Sequence, residues 1–108
     1  MLGGFGVGGV AVSPEEVAER LGVPKELVLR EGVRLYLENE LRNLRAEMEG
    51  ITKRYDVSSV EELWRRVEEG SLTEEDCRED LMRLEYIEAR INEVLRLLGI
   101  SMRGLSRI

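Results

Sequence analysis

The chain has 108 residues, 35% of them charged and 5% aromatic, with a net charge of −6 and no histidine. That length supports one small core or an obligate oligomer, and excludes two independent cores. The missing histidine excludes His-based acid–base chemistry and His metal sites, and no apolar run is long enough to cross a membrane.

Residues 1–9 form a lead-in containing five glycines. They lack a basic n-region, and the glycines break any signal-type helix, so no secretory signal is expected. Val10 and Val12 alternate with Ala11 and Ser13, the pattern of a short half-buried strand. Ser13 then suits an N-cap, with Pro14 at the first helical position and Glu16 completing a capping box. Val17, Ala18 and Leu21 form the inward face of this first helix, and Gly22 suits the left-handed position that ends it.

A second helix is expected from about Pro24. Leu27, Val28, Val33, Leu35 and Leu37 give it a broad apolar surface. Further on, Leu41, Leu44, Met48, Ile51 and Tyr55 recur at steps of 3, 4, 3 and 4, a coiled-coil seam. Glu26/Arg30 and Glu38/Arg42 support the outer side, and Gly50 is a possible interruption. Asp56-Val57-Ser58 reads as a turn, with Ser58 and Glu61 capping a short helix that carries Leu63, Trp64 and Val67 on one face. Gly70 ends it. Ser71 with Glu74 opens the last helix, whose seam is Leu81, Leu84, Ile87, Ile91, Val94 and Leu98, and whose expected stop is Gly99. A short helix between two seamed ones predicts an antiparallel helical hairpin.

The strand–helix–helix order of residues 9–41 resembles the ribbon-helix-helix module. That resemblance implies a dimer whose paired strands lie in the DNA major groove. Gly9, Ala11 and Ser13 would face the bases, and Lys25, at a helix N-terminus, would meet a phosphate. Of the three outward residues only Ser13 is polar, and it also serves as a helix cap, so the strand reads equally as a device for holding a dimer together. Val10, Val12, Val17, Leu21, Leu27, Val28, Val33 and Leu37 would form the core shared by two copies.

The segments Tyr55-Asp56-Val57-Ser58-Ser59-Val60-Glu61-Glu62-Leu63, Glu69-Gly70-Ser71-Leu72-Thr73-Glu74-Glu75 and Glu79-Asp80-Leu81-Met82-Arg83-Leu84-Glu85-Tyr86 resemble acidic tails of archaeal antitoxins paired with PIN-domain ribonucleases. Such a tail would contact its toxin through Leu63, Trp64, Arg65, Arg66 and Val67. Tryptophan and arginine commonly dominate binding energy. Trp64 reads equally as a cover for the hairpin.

The expectation is therefore a mostly α chain in four parts. A lead-in (1–9) precedes a ribbon-helix-helix-like homodimerisation unit (10–41), a partner-binding hairpin (42–99) and a tail (100–108). Its expected function is that of an antitoxin-like regulator that inhibits a toxin and binds operator DNA, with no cofactor and no metal. The alternative is a helical oligomerisation or scaffold protein that binds no DNA.

Charge weighs against strong phosphate binding: residues 1–50 carry six basic and nine acidic groups, and residues 51–108 ten and thirteen. An enzyme is not expected. There is no P-loop, and the Glu-x-x-Glu/Glu-x-x-Asp pattern of helical pyrophosphohydrolases is only half met, by Glu85/Glu88 and Glu16/Glu19. The single Cys77 can form no internal disulfide, which points to the cytoplasm, and its acidic neighbours disfavour a thiolate. Fourteen arginines against two lysines point to a heat-adapted source.

Overall fold

A computed structural model describes the backbone of residues 12–106 and the side chains of residues 12–99. Among the described residues the regular elements are four helices: α1 (Pro14–Leu21), α2 (Lys25–Arg54), α3 (Val60–Glu68) and α4 (Glu74–Ser106). The expected strand is corrected accordingly. Val12 lies in a bend, 43% exposed, and the next residue is already the cap of α1. Ser13 has an extended backbone, and its side chain accepts a hydrogen bond from the Glu16 amide at 3.1 Å. With Pro14 presetting the helical φ at once, the described chain has no room for a strand before the helix. Gly9, Val10 and Ala11 lie outside the described residues. The ribbon-helix-helix fold thus gives way to helices alone.

Two compact units divide between Tyr36 and Leu37, a boundary that falls inside the continuous helix α2. In the first unit, α1 ends at Gly22, whose φ of +68° is the left-handed conformation a glycine adopts without penalty. The Val23 amide then bonds back to the Ala18 carbonyl at 3.0 Å. Glu16 does not complete the expected capping box by reaching back; it pairs with Arg20 at 3.2 Å. Among the described residues of this unit Ala18 is buried, while Val17, Leu27 and Val28 are half-buried.

The second unit contains the hairpin. α2 and α4 run antiparallel, because their cross-links descend one helix as they ascend the other. Arg54 meets Asp80 at 3.2 Å, Arg83 grips Glu47 with two nitrogens at 2.5 and 2.8 Å, and Arg90 meets Glu40 at 3.0 Å. Between the helices lie Leu37, Leu44 and Ile51 from α2 and Leu81, Leu84, Ile87, Ile91, Val94 and Leu98 from α4. The two seams therefore meet within one chain. α3 closes the end of this core with Val60 and Leu63, the latter fully buried.

Two expected breaks and two caps lie elsewhere. α2 passes through Gly50, with the seam residues Leu44 and Ile51 on either side holding it to its partner across the weak position, and α4 continues past Gly99. Ser59, not Ser58, caps α3, accepting from the Glu62 amide at 3.1 Å, while the Ser58 amide and hydroxyl both donate to the Glu62 carboxylate. Thr73, not Ser71, accepts from the Asp76 amide at the start of α4.

Candidate interaction surfaces

The residues expected to face DNA are not brought together as a reading surface. Gly9 and Ala11 lie outside the described residues, Ser13 caps α1, and Lys25 pairs with Glu15 at 3.2 Å.

The expected partner patch is largely built into the hairpin. Leu63 has no exposed surface, and Trp64 and Val67 are half-buried against the core. Trp64 donates its indole N–H to the Glu85 carboxylate at 3.0 Å, tying α3 to α4. Arg66 donates to the carbonyls of Tyr55 and Asp56 at 3.3 and 3.1 Å, holding a turn in which Asp56 has a φ of +55°. Arg65 alone of the five is exposed.

Of the expected dimer-core residues, Leu37 is buried, Val17, Leu27 and Val28 are half-buried, and Val12, Leu21 and Val33 are exposed; Val10 lies outside the described residues. In the first unit Leu29, Val33 and Tyr36 are 44%, 54% and 63% exposed. Their i, i+4, i+7 spacing places them on one face of α2. Leu29 and Tyr36 were not among the expected residues, although their spacing to Val33 was a legible signal.

Two further features were not apparent from spacing alone. Tyr55 donates to Asp80 at 2.5 Å, and that carboxylate also pairs with Arg54. The bond to Asp80, with burial, pushes the Tyr55 hydroxyl up to about 12. A groove also runs along α2, where Arg42, Arg45 and Lys53 stand over Met48 and Val57. Cys77 is buried, bonds to the Thr73 carbonyl, and has its pKa raised first by that burial. It is a core residue, not a reactive thiol. Among the described residues no three His, Cys, Asp or Glu side chains are placed to hold a metal ion, and no helix is long and apolar enough to cross a membrane.

Residues 12–100 match the family model described as the Uncharacterized protein MJ0235 family, a range that includes α1, α2 and α3 complete and most of α4. The chain belongs to that family. It is similar to "Uncharacterized protein MJ0235" of Methanocaldococcus jannaschii, 34% identical over 74 residues that cover 68% of this chain and 89% of the relative. No solved structure matches the chain.

Proposed function

We propose that the protein is a non-enzymatic helical oligomerisation module, in which the first unit of one copy completes its core against a second copy. One observation carries this reading. Among its described residues the first unit buries Ala18 but leaves Leu29, Val33 and Tyr36, on one face of α2, between 44% and 63% exposed. An apolar face of that kind, on a unit this small, gains little stability until it is covered. A second copy supplies the same face by two-fold symmetry and is present wherever the chain is. The single buried cysteine accords with a reducing cytoplasm as the compartment.

An antitoxin-like role has narrower support. It would have to use Arg65 and the exposed face of α2, because the other patch residues already serve the hairpin.

The test is sedimentation equilibrium of the full chain beside Val33→Glu. Val33 is 54% exposed in the single chain, so a charge there costs the monomer fold little, about 0.5 kcal/mol or less. In a shared core the same charge would be desolvated. The expected result is that V33E stays folded but sediments at a lower mass than wild type, because the contact between first units is lost. A wild-type monomer at all concentrations, or a V33E mass equal to wild type, sinks the proposal.

A further inference from the structure

The second unit carries two surfaces of matching length and opposite chemistry. The shallow, open groove along α2 has a volume of about 680 Å³. Its lining holds the cations Arg42, Arg45 and Lys53, the carboxylate of Glu49, and the apolar Ala46, Met48 and Val57. Lys53 is partly neutralised by Glu49 at 3.7 Å. Arg42 bonds to the uncharged Asn39, and among the described residues no carboxylate pairs with Arg45. This concentration of positive charge stands out on a chain of net charge −6.

On α4, Glu75, Glu79, Met82 and Tyr86 recur at steps of 4, 3 and 4, on the side away from the buried Leu81, Leu84 and Ile87. Met82 and Tyr86 are 62% and 51% exposed, and neither glutamate has an ion-pair partner among the described residues. Arg42 to Lys53 and Glu75 to Tyr86 each span eleven residue steps, about 16 Å of helix. Laid side by side in the same direction, they bring Arg42 and Arg45 opposite Glu75 and Glu79. The other half of the stripe, Met82 and Tyr86, then comes level with Glu49 and Lys53, next to Met48.

We infer that the groove on α2 of one copy receives the Glu75–Tyr86 stripe of a second copy. The two surfaces differ, so the contact is head-to-tail and can add copies beyond a two-fold dimer. Ion pairs at one end set the register, and burial of Met82 and Tyr86 at the other supplies the gain. The inference uses the second unit alone and does not depend on the association proposed for the first.

The experiment is a charge swap read by sedimentation at low salt, in the full-length wild-type chain and again in V33E. Arg45→Glu and Glu79→Arg should each weaken this association at least about tenfold, since like charges then face each other. The double variant R45E/E79R should recover most of the loss, because every contact again pairs opposite charges. Raising the salt should weaken the wild-type contact. Circular dichroism checks that each variant folds, and Arg45→Gln with Glu79→Gln gives a milder pair if a reversal unfolds the chain.

Masses unchanged by either reversal would overturn the inference. So would a double variant weaker than both single ones, or a V33E chain that stays monomeric at every concentration. Loss of the V33E effect with the swap intact would instead remove only the proposal for the first unit.

Discussion

Tyr55 shows how one side chain couples the hairpin to pH. Its hydroxyl is held neutral by Asp80, so its pKa rises from the ordinary 10 to about 12 in the folded chain. A group raised on folding stabilises the protein below its unfolded pKa, and that contribution is lost as pH climbs through the folded value. Stability should therefore fall between about pH 10 and about pH 12. Tyr55→Phe should remove that part of the slope and cost about 1 kcal/mol at neutral pH, read from urea midpoints across the alkaline range. An unchanged alkaline slope in Y55F would show that the Asp80 bond contributes nothing. Glu47, with its pKa lowered by the Arg83 guanidinium, works in the opposite sense, supplying stability above the ordinary carboxylate range that is lost on acidification. Gly50 is a simpler case. A Cβ added there meets nothing within 4 Å, so Gly50→Ala should stabilise α2 by about 1 kcal/mol and raise the melting temperature by roughly 4 °C. A lower melting temperature would mean that the glycine serves a packing role in an assembled state.

The elements were legible where periodicity was long, and less so at their ends. Steps of three and four over Leu41–Tyr55 and Leu81–Leu98 are enough to identify two seamed helices, because burial enforces the period over several turns. Caps are less legible, since adjacent candidates such as Ser58 and Ser59 differ only in which hydroxyl meets an amide once the chain has turned. Gly50 was read as a possible interruption on local propensity, which costs about 1 kcal/mol and loses to the packing of Leu44, Met48 and Ile51 around it. α3 illustrates the remaining ambiguity. Trp64 looks like a binding anchor from its residue type, yet in the structure it packs on the hairpin core and bonds to Glu85. Trp64→Ala should thus lower stability by about 2 kcal/mol, whereas Trp64→Phe should lose only the indole bond, about 1 kcal/mol. Chemical denaturation of both variants checks this; equal stability in W64A and wild type would free Trp64 for a partner.

At the scale of the molecule, the two units differ in what they bury. The second has a continuous core from Leu37 to Leu98, whereas the first has Ala18 and a row of exposed apolar residues. If a second copy covers that row, the melting temperature should rise with protein concentration in wild type, and V33E should weaken the dependence. Spacing and composition were sufficient for the helical class and the membership of the seams, since both follow from how many apolar residues fall on one stripe. They could not say that Ser13 starts a helix with no strand before it among the described residues, that Trp64 faces its own hairpin, or that Tyr55 meets Asp80. Those outcomes depend on which elements come into contact, and residues 25 positions apart become neighbours only after the chain has folded back on itself.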